Sequence, residues 1–309
     1  MLSRVAEHLY WMARYIERAE ATARLAIAAS DTILDMPVGV PYDWDSLIQV
    51  FGSDDSGPVI SEVEVMEQLV LSLEHPGSIR VSIASARENA RVTRDLIPKD
   101  AWIALNELHG LVERQSFARF DRSTRIRLLK QVISNCRLWH GCLVASQARD
   151  LSFLFLRLGD RLEHADMVSR LVDPRVTQMV PGISARWSSY EAIGWQNLLS
   201  ALGGVELYRH SARNRMRGID VLDFVLRNEN FPQSMAAALA RVDRLLTQLP
   251  HQRVSTDLLD SIVDGLTKLD LKCLTPDLLT QNMDRVQQRL LTLHGNISSE
   301  YFFFQPNNR

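Results

Sequence analysis

Apolar residues recur at intervals of three and four along almost the whole chain, without the strict alternation of strands. That periodicity predicts α-helix. A first helix starts after Ser3, whose hydroxyl suits an N-cap, and runs to about Leu34 with Pro37 beyond it. Residues 37–60 are rich in proline, glycine and aspartate and predict a long loop with a short helix near Trp44–Phe51. Ser61 can cap a helix to about Leu73, stopped by His75-Pro76-Gly77. Further helices are expected over Ser78–Leu96, from Pro98 to about Gln115, and from Asp121 or Ser123 to about Ala148. In the second half a very apolar helix covers Leu151–Val172, residues 174–186 form a loop, and helices follow near 187–213, 219–227, 232–249, 255–271 and 277–304. The expectation is an all-α multi-helix bundle of about ten to twelve helices in one domain over 1–309, with pseudo-equivalent halves near 1–149 and 150–309.

The most informative feature is an internal echo. ARYIERAEATARL at 13–25 matches GDRLEHADMVSRL at 159–171 with an offset of 146, placing Glu17 on Glu163, Glu20 on Asp166 and Arg24 on Arg170. At roughly 100° per residue, each acid–acid–arginine set falls within about 60° of a helix surface. Both copies lie in the most apolar helix of their half, so the charges are expected inside, where an unpaired carboxylate costs several kcal/mol. Glu20–Arg24 and Asp166–Arg170 are i,i+4 pairs in the favourable order. Arg14 and Arg18 add positive charge to the first copy; Asp160 and His164 stand at the matching positions of the second. One reading is an ionic cluster that fixes helix register. The other is a polar pocket between the two helices for an anionic or peptide-like ligand.

Composition narrows the classes. With 309 residues, 46% hydrophobic and 23% charged, and a formal charge of −2, there is no global field for nucleic acid or an anionic membrane. Charged residues interrupt the first turns, arguing against a secretion signal, and no stretch reads as a membrane span. Cys136, Cys142 and Cys273 form no CxxC pair and suit a reducing, cytoplasmic setting. Locally, ten acids and no Lys or Arg lie between Arg24 and Arg80, while residues 114–149 are strongly basic. These segments predict solvated surfaces, or patches for mutual or partner docking. A basic run, with Arg209, Arg213 and Arg215 as its anion-site candidates, suits either a solvated helix end or an anion site. No Glu has His three residues later, as a di-iron site needs, so no metal is expected, nor any cofactor. Cys136 and His140, four apart, read more simply as packing than as a thiolate–imidazole pair.

The opening LSRVAEHLYWMARYIERAEATARL, with Glu17-Arg18, resembles the alpha-E family and its ER motif. So do SARENAR at 85–91, FLRLGDRLEHADMVSRL at 155–171 and VLDFVLRNENFPQSM at 221–235. Glu88 and Arg91 of the second stretch join Arg14, Glu17, Arg18, Glu20, Arg24, Glu163, His164, Asp166 and Arg170 as ligand-site or ionic-cluster candidates. Where the family leads one to expect GRYLERAD, this chain reads Gly159-Asp160-Arg161-Leu162-Glu163-His164-Ala165-Asp166. The family's company is ATP-grasp-type ligases and transglutaminase-like proteins, which implies a role in making or modifying peptides. Two functions follow as expectations: a non-catalytic helical partner of an ATP-grasp-type peptide ligase, or an enzyme of the same pathway. In the enzyme, Glu17 would be the acid/base and Arg14, Arg18 and Arg24 would hold substrate carboxylates. An open pocket reaching both Glu17 and Glu163 favours the enzyme; a dry, fully paired cluster favours the partner.

Overall fold

The computed structural model describes residues 2–35, 44, 47, 48, 50, 51, 61–116, 121–173, 191–212, 216–250 and 254–303. Among them are twelve α-helices and no strands. They are α1 (Ser3–Asp35), α2 (Glu62–Leu71), α3 (Ile79–Val92), α4 (Lys99–Glu113), α5 (Arg122–Ser146), α6 (Leu151–Val172), α7 (Glu191–Ala201), α8 (Val205–Ala212), α9 (Gly218–Arg227), α10 (Met235–Gln248), α11 (Asp257–Lys268) and α12 (Pro276–Tyr301).

Local chemistry sets many of the boundaries. Ser61 and Glu64 form a reciprocal capping box at α2. Ser78, Asp121, Asp150, Ser234 and Thr275 accept from backbone amides of the following first turns. Ser3 departs from expectation by being the first helical residue rather than the cap. The expected single helix at 187–213 is two among the described residues. Gly203, at φ 65°, ends α7, and Gly204 N–H bonds back to Leu199 O at 2.8 Å, a turn that a left-handed glycine permits.

Helices α1 and α6 form the centre. Along α1, Leu9, Tyr10, Met12, Ala13, Ile16, Ala19, Ala23 and Ala26 are all fully buried. A helix apolar on nearly all sides needs neighbours on all sides, and α3, α5, α6 and α7 supply them. Helix α6 is covered in turn by α1, α10 and α12. Buried apolar side chains from Ala6 to Phe302 form one continuous cluster. The aromatic tail splits: Phe302 packs against Tyr10 and Phe155, Phe303 is exposed, and Phe304 lies outside the described residues. Among the described residues no helix is long and apolar enough to cross a membrane.

The two central helices touch backbone to backbone. A Cβ placed on Gly159 of α6 would sit 2.1 Å from the Tyr10 carbonyl oxygen of α1. The contact is rigid on both sides, so it sets which residues of α6 face which residues of α1. Gly159→Ala is therefore expected to destabilise by about 1–3 kcal/mol, the usual cost of overpacking a core. Gly141→Ala, an exposed helical site with nothing within 4 Å of the new carbon, should stabilise by about 0.5–1 kcal/mol. Urea denaturation of both variants checks this; equal effects would dismiss the close approach as a determinant of register.

Candidate functional site

The register fixed at Gly159 brings Glu163 between two arginines one turn apart on α1. Arg14 Nε and Arg18 Nε each donate to a different Glu163 carboxylate oxygen, both at 2.6 Å. Glu163 is wholly buried. Burial alone would raise its pKa, but the Arg14 and Arg18 charges and hydrogen bonds outweigh this and lower it to about 2. Arg14 also donates to Tyr10 Oη at 3.2 Å and lies over the Trp11 ring. Tyr10 Oη shares a 3.0 Å bond with His294 Nδ1 of α12. Burial raises Tyr10 to about 12; burial, then Arg14, lowers His294 to about 4. On this side the charges are spent on one another.

The offset of 146 maps Arg14 and Arg18 onto Asp160 and His164, the residues that approach Glu17 from α6. The same geometry returns with different chemistry. His164 Nδ1 lies 2.7 Å from Glu17 Oε1, and His164 Nε2 lies 3.0 Å from the Gln233 carbonyl oxygen. A carbonyl only accepts, so Nε2 carries a hydrogen. Asp160 does not touch Glu17. Arg161 grips both of its oxygens at 2.9 Å, and Arg157 adds a 2.6 Å contact. Burial would raise Asp160, yet Arg161, then His140 and Arg157, hold it far below the usual carboxylate range.

A half-open pocket of about 240 Å³ lies against this second face. Glu17, Glu20, His140 and His164 line it with Arg24, Arg137, Arg157 and Arg161. Glu20 accepts from Arg24 at 2.9 and 2.5 Å and meets Arg137 at 3.5 Å. His140 Nε2, buried and without a hydrogen-bond partner, points between Glu17 and Asp160 at 3.8 and 3.9 Å. Gln233 Oε1 is a second buried polar atom without a partner. Glu17, His140 and Asp160 bring one ligand atom each within 4.8 Å, a spacing a metal ion could bridge. Charge opposes a cation: Asp160 already serves two guanidiniums. Arg241 also lies close enough that burial, then Arg161 and Arg157, lower its own pKa. The cluster suits an anion better than a metal.

The structure sorts the sequence candidates. Glu20–Arg24 and Asp166–Arg170 form the expected pairs, and Arg170 also donates to Val50 O at 2.8 Å. Arg14 and Arg18 are held by Glu163 and Arg24 by Glu20, while Arg24 also lines the pocket at Glu17 and Arg14 and Arg18 line a separate half-open cavity against α12. Beside Glu17, Arg24 is joined by Arg137, Arg157 and Arg161, whose positions no periodicity in the sequence marked. Glu88 and Arg91 stand apart as an exposed pair with each other. Arg209 is exposed on α8, while Arg213 and Arg215 lie outside the described residues. Cys136 is fully buried, and burial, then Glu20 and Glu17, push its thiol up; His140 serves the pocket, not the thiol.

The fold and site define an all-helical arrangement, among the described residues, built round a buried clasp of Glu163 by Arg14 and Arg18. The chain belongs to the alpha-E family, a predicted alpha-helical domain with a conserved ER motif, which matches residues 1–302. Uncharacterized proteins of Mycobacterium bovis and Mycobacterium tuberculosis are 23% identical to it over 270 residues. The match takes in 80% of this chain but 30% of theirs, so the chain spans under a third of these relatives' length. No solved structure matches the chain.

Removing one partner of a buried ion pair leaves the other uncompensated, so Glu163→Gln should cost about 3–5 kcal/mol at pH 7. The folded pKa of Glu163 lies below its unfolded value, so its contribution is complete above about pH 5 and is lost as pH falls through about 2. Wild type should thus lose its advantage over Glu163→Gln on acidification through that window. Arg91→Ala, breaking the exposed Glu88 pair, should leave the urea midpoint unchanged. Parallel wild-type and Glu163→Gln stability curves from pH 7 to 2.5 would contradict this assignment.

Proposed function

We propose that this chain is a ligand-binding helical component of a peptide-synthesising or peptide-modifying system. It works in the cytoplasm beside an ATP-grasp-type ligase, and its pocket at Glu17 takes an anionic amino-acid or peptide-like ligand. The observation that carries the reading is the contrast between matched glutamates. Glu163 is dry and doubly paired with arginine, as a structural residue is. Glu17 faces a half-open cavity rimmed by arginines. Guanidiniums suit an oxyanion, and the unpartnered Gln233 Oε1 and the Glu20 carboxylate suit an ammonium. Partnership rests on the family resemblance and on the relatives' length, since a domain that works beside another protein is readily joined to it in one chain. Three free cysteines, one fully buried, accord with a reducing compartment.

One observation favours a catalytic variant of this reading. Glu17 is hydrogen-bonded to the His164 imidazole at the pocket wall, a carboxyl–imidazole arrangement that general acid–base chemistry uses. Two measurements separate the readings. Calorimetric titration with an acidic dipeptide and with its fully amidated counterpart should show binding of the acid only; binding of neither would remove the pocket from the account. In a reconstituted ligase reaction, the yield should drop when this chain is omitted, while the product stays chemically the same. Glu17→Gln then decides: restored yield assigns binding alone, and lost yield with retained dipeptide binding assigns catalysis. Equal yield with and without the chain would end the partnership.

A further inference from the structure

The internal repeat recurs in the cavities as well as in the chain. The pocket at Glu17 lies against the Glu20–Arg24 pair of α1 and the flanking Arg157 and His164 of α6. Carried across by the offset of 146, these positions become Asp166, Arg170, Trp11 and Arg18. All four line a separate half-open cavity of about 580 Å³, in which α12 rather than α5 supplies the third wall. Arg14 joins them from α1, and Leu291 and His294 face them from α12. Two helices related by a repeat thus present a cavity on each of their matched faces, and the second has no role so far.

Its wall is rich in uncommitted donors. Glu163 takes the Nε of Arg14 and of Arg18 and leaves their outer nitrogens. Arg14 Nη2, both Nη atoms of Arg18 and Arg170 Nη2 have no hydrogen-bond partner among the described residues, yet none is sealed from solvent. Arg14 itself is only 8% exposed, so its free edge is held in place by packing. Burial would lower the pKa of Arg18, but Glu163 and then Asp166 raise it; Asp166 also holds Arg170, which ties the arginines into one cluster. His294 adds a neutral donor. Tyr10 is fully buried and Arg14 can only donate to its oxygen, so the phenol hydrogen goes to His294 Nδ1. Nε2 therefore carries the ring hydrogen, and it too has no partner and is open to solvent.

Trp11 and Leu291 give the same cavity an apolar wall, and Leu291 is 69% exposed. Its acids are Asp166, held by Arg170, and Asp284 on α12. Converging donors beside apolar surface, with two carboxylates already in the wall, suit a ligand with one carboxylate rather than several. We propose that this cavity binds the C-terminal end of a peptide whose last residue is apolar. The carboxylate lies on Arg18 and Arg170, the last side chain rests against Trp11 and Leu291, and His294 Nε2 donates to an oxygen of the peptide end. The volume holds one residue and the start of the next, and the half-open mouth lets the chain leave. This site is additional to the pocket at Glu17 and needs nothing of it.

Calorimetric titration of the full chain at pH 7.5 with N-acetyl-glycyl-glycyl-L-leucine, its C-terminal amide and acetate tests this. The acid should bind, the amide should not bind detectably, and acetate should bind at least about tenfold more weakly for want of the apolar group. Leu291→Glu puts a carboxylate at the exposed rim, where circular dichroism should show the fold retained, and should weaken the acid about tenfold. Arg137→Ala, in the wall of the other pocket, should leave its affinity within about twofold. Amide or acetate binding as tightly as the acid would overturn the assignment, as would no binding at all. Affinity lost in Arg137→Ala but not in Leu291→Glu would move the ligand to the Glu17 pocket and overturn the second site. Binding of N-acetyl-L-leucine without binding of the tripeptide would overturn the peptide end in favour of a free small acid.

Discussion

The grip of Arg14 and Arg18 on Glu163 is the constraint on which the rest of this structure depends. A carboxylate sealed between two helices is tolerable only when its charge is matched and its oxygens accept hydrogen bonds, and each oxygen here has its own guanidinium. That pairing works in one register alone. A one-residue slide of α6 along α1 would separate the charges and drive the backbone at Gly159 off its seat on Tyr10. The clasp thereby dictates what stands opposite Glu17, a residue it does not touch. Tyr10 and His294 carry the arrangement outward to α12, and Phe302 packs on the same Tyr10 ring.

The pocket is a product of broken symmetry. The related segments of α1 and α6 face each other, so each presents its glutamate to the other's flanking positions. On α1 those positions hold arginines and the glutamate they meet is consumed. On α6 they hold Asp160 and His164, and Glu17 is left with one imidazole. Asp160 draws Arg157 and Arg161 into the space that a second clasp would fill. The result is a set of guanidiniums beside an acid hydrogen-bonded to an imidazole.

Much of this was legible in the sequence. Helical periodicity gave the all-α class, and Pro276 and the Ser and Asp caps punctuate the helices where local rules lead one to look, whereas the break at Gly203 fell inside a stretch read as one helix. The echo between 13–25 and 159–171 identified the central pair and both i,i+4 ion pairs. What periodicity did not reveal is which face of each repeat touches which. Arg14 and Arg18 look like free cations on a helical wheel; only the register at Gly159 shows them committed to Glu163. Arg137 and His140 come from α5, whose approach is a tertiary fact with no local signature. Cys136, four residues from His140, packs into the core, as the simpler reading of that spacing had it. Glu88 and Arg91 pair three residues apart rather than four, on a solvated helix face.

The clasp can be tested without reference to any ligand. A double-mutant cycle on Arg14→Met and Glu163→Gln, read by urea denaturation at pH 7, measures the coupling between the two side chains across α1 and α6. The account predicts a coupling energy of about 1–3 kcal/mol, the double variant being far less damaged than the two single effects combined. Additivity within about 0.5 kcal/mol would mean that the two helices are held by packing alone, and the clasp would lose its organising role.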